Sequence, residues 1–217
     1  MDGNEQKTGK NTQELLHKKY LCLVFLFAIV FVWSAIKPVS WIDWLWQAGS
    51  VIIGIFFLTY LYNREQFRFT SLVYTLIFIH AIILLVAAHY TYASVPLFDW
   101  IKDVLKLERN DYDRLAHFFQ GFSPVFVMRE LLYRKLNMRK YVAPMSIGLV
   151  MGLSALWELI EWIGTITTGH NLVFGQGDPY DTQHDMFMAL VGSVMGLLVL
   201  SRLHMTLMQR IEKNRDS

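Results

Sequence analysis

Cysteine is almost missing from this chain. Cys22 is the only one in 217 residues, which excludes an intramolecular disulfide and any Cys-based zinc site. The chain also lacks the Gly-x-x-x-x-Gly-Lys phosphate loop and the Gly-x-Ser-x-Gly nucleophile elbow, which argues against two large classes of soluble enzyme. Cys22 falls inside an apolar run, where we expect a small buried hydrophobe. No feature indicates nucleic acid as a partner.

Long apolar runs, in contrast, are plentiful. The chain is 54% hydrophobic, above the roughly 45–50% of soluble domains. Each run is close to the ~20 residues that cross ~30 Å of hydrocarbon, and in lipid it must be helical to satisfy its backbone. The sequence predicts an all-α polytopic membrane protein, a six-transmembrane-helix bundle over residues 20–203, with polar cytoplasmic tails at 1–19 and 204–217. The six spans are 20–36, 44–62, 70–93, 113–128, 142–164 and 185–203.

The charges are unevenly divided between the two sides of this bundle. With six spans, fifteen Lys and Arg residues lie on the side of the termini and five on the other. Positively charged loops stay in the cytoplasm, so we expect a multi-pass membrane protein with both termini cytoplasmic and lipids around it. Eleven of the eighteen acidic residues then face outward.

The fourth span begins with an acidic and histidine-containing turn. Asp113 and His117 are four residues apart, so they share one helix face. Alone, this pair is more typical of a structural contact, and Asp111 or Asp113 could instead cap the helix.

Two further pairs of acids lie at the outer ends of the last two spans. Glu158 and Glu161 are three residues apart at the end of the fifth span, and Asp181 and Asp185 are four apart at the start of the sixth. Ionised groups at a bilayer boundary cost free energy unless they are paired, hydrated or metal-bound. The alternative is a set of interfacial acids that reach out to water.

Small residues suggest how these ends could meet. Gly192 and Gly196 follow nearly the same face as Asp185, and Gly148 and Gly152 lie in the fifth span. Small residues permit close helix contact in lipid. We therefore expect the fifth and sixth spans to pack tightly and bring the carboxylates together.

The connection before the sixth span contains no Lys or Arg, so we expect no internal cation to neutralise Asp178, Asp181 or Asp185. Arg109 and Arg114 are the nearest basic partners, too few for the whole cluster. Either a divalent metal ion binds among the oxygens, or some carboxyl groups stay protonated. In the first case the expected ligands are Asp113, His117, Glu158 and Asp185, with Glu161 or Asp181 as general base or further ligand.

The same residues carry a family resemblance. Asp113-Arg114-Leu115-Ala116-His117-Phe118, then Glu158, then Asp181, Asp185 and Gly192 at spacings of four and seven resemble the motif set of the VanZ-like group, with Ala189 where that group has Asn. The VanZ-like group is associated with the glycopeptide-antibiotic response. Over its whole length the chain resembles the uncharacterised YjdF family of bacterial inner membrane proteins. The resemblance implies a shared polar site and no particular reaction.

Three functions fit these observations. The first is a metal-dependent membrane enzyme that acts on a lipid or a lipid-linked envelope substrate, with bound metal activating water or a phosphate. The second is a small proton- or cation-coupled transporter, although only His80 is expected to continue a polar path toward the cytoplasm. The third is a non-catalytic scaffold. Each is compatible with an oligomer.

Overall fold

Helices form the whole of the described architecture. The computed structural model describes residues 18, 21–64, 67–168 and 179–216, and these contain no β-strand. A 3₁₀ turn, Tyr92–Ser94, follows α3, and a π-helical turn, Leu131–Lys135, follows α6. The eight helices are α1 Leu21–Ser34, α2 Trp41–Asn63, α3 Ser71–Tyr90, α4 Pro96–Leu105, α5 Tyr112–Phe122, α6 Pro124–Glu130, α7 Val142–Thr168 and α8 Asp181–Asp216.

Four of these helices are long and apolar enough to cross a membrane: α2, α3, α7 and α8. The all-helical membrane architecture is thus confirmed. The first predicted span is a shorter apolar helix, α1. The fourth is divided into α5 and α6, since Pro124 opens a new helix and proline has no N–H to continue the old one. The count of six crossings stays a prediction, and the predicted tail at 1–19 lies outside the described residues except for Lys18.

The tightest helix contact is between α5 and α8, and it depends on two glycines. A Cβ placed on Gly192 would lie 2.0 Å from the backbone oxygen of Phe118, and one on Gly121 would lie 1.8 Å from that of Ala189. The two backbones therefore touch, which only glycine allows.

The expected glycine contact between the fifth and sixth spans is wrong. A Cβ added to Gly148 or Gly152 on α7 would have no neighbouring atom within 4 Å. The glycines of α8 face α5 instead. A run of small residues marks a face that can approach another helix, but it does not identify the partner.

One buried apolar cluster joins α3, α6, α7 and α8. It contains Val125 and Phe126 of α6, which are fully buried, together with Val73, Val150 and Leu197 of the other three helices. Large apolar side chains on the outer faces of the helices are exposed, as expected where lipid is the solvent. Cys22 is among the exposed residues of α1, so its predicted burial is wrong: it faces outward from the bundle.

A short helix, α4, precedes the site in a stretch predicted only as a connection. Leu97, Trp100 and Val104 recur at helical spacing and are largely exposed (61%, 63% and 59%). The start of α4 is bonded to Asn110, whose side-chain amide donates to Val95 O at 3.1 Å and to Asp99 Oδ1 at 3.0 Å. These two bonds fix the chain immediately before α5.

Candidate metal centre

The start of α5 is positioned by Asn110. Its side-chain oxygen accepts a hydrogen bond from the Tyr112 N–H at 3.1 Å, which satisfies one free donor of the helix. Asp111 occupies the N-cap position but makes no capping bond. The alternative in which the Asp111 side chain caps this helix is therefore wrong, and the Asp113 carboxylate lies beside His117.

Four of the predicted residues meet around the His117 ring. Nε2 lies 3.5 Å from Asp113 Oδ1 and 3.8 Å from Asp185 Oδ2, and Nδ1 lies 3.7 Å from Glu158 Oε1. All four side chains are buried, with 1–7% of each residue's surface exposed. The start of α5, the C-terminal half of α7 and the start of α8 thus bring their polar groups to one place.

The two ring nitrogens of His117 have different surroundings. Nδ1 is 2.8 Å from Gln120 Oε1, a contact in which Nδ1–H donates, so in the neutral ring it is Nε2 that carries the lone pair. Nε2 faces Asp113 and Asp185, and the ligand atoms of these three residues lie within 4.8 Å of one another. Glu158, on the Nδ1 side, is not part of that group. Gln120, which no sequence pattern singled out, fixes the tautomer in the way that hydrogen-bond partners of metal-ligating histidines do.

Several carboxylate oxygens in this cluster lack a hydrogen-bond donor. Asp113 Oδ1, Glu158 Oε1 and Asp185 Oδ1 are buried and accept no hydrogen bond from any described residue. A buried charged oxygen without a partner is strongly unfavourable. Two carboxylates and an imidazole nitrogen around one point suit a divalent cation, so the donor set fits a metal ion.

Arg109 closes the outer side of the cluster. Its guanidinium forms a close ion pair with Asp181 and lies 3.4 Å from Asp113 Oδ2 and 3.7 Å from Asp111 Oδ1. Burial lowers the pKa of Arg109, but the bond to Asp181 and the nearby negative charges outweigh burial and raise it. The guanidinium is therefore a permanent positive charge at this position.

The cation that pairs with Asp181 is Arg109, one of the two basic residues predicted to be the nearest partners, and it comes from the connection before α5. Arg114 pairs instead with Asp111, at 3.0 Å. Asp178, in the connection before α8, lies outside the described residues. Glu161 is half-buried one turn beyond Glu158 on α7.

A second buried polar network lies away from His117, where the C-terminal end of α6 meets the C-terminal half of α8. Glu130, fully buried, accepts the Thr70 N–H at 3.0 Å and contacts His204 Nε2 at 3.0 Å. Arg134 forms a close ion pair with Glu130, and Arg129 lies 3.3 Å from His204 Nδ1. This network contains buried ionisable groups away from the His117 cluster, besides His80, that were not predicted. Arg129 and Glu130 directly follow the fourth predicted span, so the sequence assigns them to a connection. For this reason their burial was not predicted.

Comparison with known proteins agrees with this membrane architecture. A family profile described as "Predicted membrane protein (DUF2238)" matches residues 19–206. The chain is 39% identical over 187 residues to "Inner membrane protein YjdF" of Escherichia coli (strain K12), which covers 84% of this chain and 88% of that protein. No solved structure matches the chain, and the VanZ-like resemblance stays a prediction. The chain belongs to the DUF2238 family of predicted membrane proteins, and the predicted resemblance to YjdF is confirmed.

Proposed function

We propose that this inner membrane protein is a metal-dependent enzyme whose centre opens toward the periplasm. The supporting observation is the cluster of Asp113, Glu158 and Asp185 around His117, in which one buried oxygen of each carboxylate lacks a donor among the described residues. The uneven distribution of Lys and Arg supports the orientation, with six crossings and both termini in the cytoplasm. A site at that depth is accessible to lipid headgroups and to lipid-linked envelope substrates.

The residues divide into ligands and supporting groups. Asp113, His117 Nε2 and Asp185 would hold the cation, and Glu158 is close enough to join them with a small movement. Gln120 would keep the imidazole in the ligating tautomer. A bound divalent cation would supply an activated water or polarise a phosphoryl oxygen.

Proton transfer falls to the two acids at the edge of the site. Glu161 is the better candidate for general base, because Asp181 is already engaged by Arg109. Asp181 could act as a base only after that ion pair opens. Arg109 itself offsets part of the negative charge that the carboxylates concentrate at this end of the bundle.

Metal analysis of purified protein tests this proposal. We expect a stoichiometric divalent cation in the wild type, strongly reduced in Asp113→Asn and in Glu158→Gln, because each change removes charge from the cluster. Glu212→Gln is the matched control, since Glu212 is a partly exposed acid on α8 whose ion-pair partner is Arg139, at 3.5 Å. A wild-type protein free of metal after supplementation, with all variants the same, would refute the proposal.

A transporter is the second candidate, and the network around Glu130 and His204 favours it. Buried ionisable groups at both ends of one helix pair are a feature of proton pathways. The inner network is, however, extensively hydrogen-bonded, as a structural network is. Proton- or cation-gradient-dependent flux in proteoliposomes would support transport over catalysis.

A further inference from the structure

Helix α2 carries buried side-chain donors, rather than acceptors, that lack a partner among the described residues. Gln47 is 1% exposed, and its Nε2 finds no acceptor among the described residues. The same is true of the buried indole Nε1 of Trp46. Two consecutive residues thus each carry a side-chain N–H that is removed from water and has no partner among the described residues. Such unpaired donors are rare in folded proteins. We call these two residues the donor wall.

The donor wall adjoins the metal centre through two aromatic contacts. Gln47 Oε1 accepts a hydrogen bond from the Tyr92 hydroxyl at 2.9 Å. The Tyr92 ring in turn lies 6.3 Å from the ring of Tyr112, the first residue of the helix that carries Asp113 and His117. The Trp46 ring lies 6.1 Å from that of Trp157, the residue before Glu158.

One class of ligand satisfies both sets of unpaired atoms. A cation alone would neutralise the carboxylates but would leave the two N–H groups without acceptors. A neutral oxygen alone would satisfy the donors but not the buried charges. A phosphate ester bound to a divalent cation does both, because its charged oxygens ligate the metal and its remaining oxygens accept from neutral donors.

We infer that Trp46 and Gln47 form a subsite for the phosphoryl oxygens of a substrate held at the metal centre. The inference rests on the proposed function and names its substrate class: a phosphate group, either on a lipid headgroup or as inorganic phosphate. Trp46 and Gln47 would bind and orient this group without ligating the metal. Their removal should therefore weaken substrate binding and leave metal content unchanged.

Equilibrium dialysis of the purified, Mn²⁺-loaded protein tests the subsite, with labelled dihexanoyl phosphatidic acid in one arm and inorganic phosphate in the other. Trp46→Phe keeps the aromatic ring and removes only the N–H, and Gln47→Met keeps the length of the side chain. We expect each variant to bind the phosphate ester about ten-fold more weakly than wild type, since a hydrogen bond to a charged group is lost. Binding in the first arm alone identifies a lipid headgroup, and equal binding in both identifies free phosphate.

Trp44→Phe is the matched control. Trp44 is a tryptophan of the same helix, but its Nε1–H already donates to Ser34 Oγ at 3.1 Å. Removal of this N–H should therefore not change ligand affinity. If either donor-wall variant binds as tightly as wild type, or if Mn²⁺-loaded wild type binds neither probe, the subsite is refuted while the metal centre stands. If the wild type holds no Mn²⁺, the proposed function and the subsite both fail.

Discussion

Gly192→Ala should separate the two helices that carry the candidate site. The added Cβ would lie 2.0 Å from the Phe118 backbone oxygen, whereas real Cβ atoms essentially never approach closer than 3.0 Å. The helices must therefore move apart by about 1 Å or more, since a backbone oxygen cannot rotate away. Overpacking typically costs about 1–3 kcal/mol, and we expect the upper end of that range here.

The assay is thermal unfolding in detergent, with tryptophan fluorescence as the signal that reports the unfolded fraction. A loss of about 3 kcal/mol corresponds to roughly 6–12 °C for a chain of this size. Asp185 lies two turns before Gly192 on the same face, and Phe118 follows His117. The same displacement should therefore lengthen the 3.8 Å contact between His117 and Asp185 and weaken metal binding.

The chain provides a graded set of controls. A Cβ on Gly196 would meet only the side chains of Phe122 and Phe126 and the Phe122 oxygen, at 3.2–3.3 Å, so Gly196→Ala should cost less. Gly148→Ala meets nothing within 4 Å and should be neutral or slightly stabilising, because alanine is the better helix former. Equal unfolding temperatures for Gly192→Ala and Gly148→Ala would show that α5 and α8 are not in backbone contact.

Three further changes test other parts of the structure. Glu130→Gln should lower the unfolding temperature strongly, because removal of one member of a buried ion pair costs about 3–5 kcal/mol; an effect no larger than that of Glu212→Gln would contradict the inner network. Arg109→Gln should destabilise the metal-free protein more than the Mn²⁺-loaded protein, because a bound cation replaces the lost positive charge; equal losses in the two states would count against a cation beside Arg109. Trp100→Phe should remove part of the fluorescence quenching by brominated lipids in nanodiscs, because we expect the exposed Trp100 of α4 to face the bilayer surface; unchanged quenching would place α4 away from lipid.

The helices were predictable because the bilayer imposes their length and their hydrogen bonding. Any run of about 20 apolar residues must be helical in lipid, and α2, α3, α7 and α8 follow that rule. The division between α5 and α6 is signalled by Pro124 within the fourth run. The helix α4 was missed because its apolar residues, such as Leu97 and Trp100, are too few to stand out in a window as wide as a membrane span.

The candidate site was predictable residue by residue but not contact by contact. Helical spacing of three or four places Asp113 with His117 and Glu158 with Glu161 on common faces. It does not specify which helix faces which, so the glycine contact of α8 was expected with the wrong partner. Ion pairs between distant segments, such as the one that Arg109 forms, leave no periodic signal in the sequence. The donor wall was missed for the same reason. The sequence does not show whether the N–H groups of Trp46 and Gln47 have hydrogen-bond partners, because this depends on residues from other helices.

The two buried polar networks are compatible with a membrane because of their separation along α8. Asp185 and His204 are nineteen residues apart, which is about 28 Å along a helix, close to the ~30 Å of the hydrocarbon core. If Asp185 lies at the outer boundary, His204 then lies at the inner one, beside Arg129, and neither network has to occupy the centre of the bilayer. The glycine contact joins α5 to α8 between these two levels, where there is little charge and packing alone can hold the helices together. This division of roles, with charge at the boundaries and backbone contact in the middle, explains how a short chain can keep a cluster of carboxylates buried at one face without losing its fold.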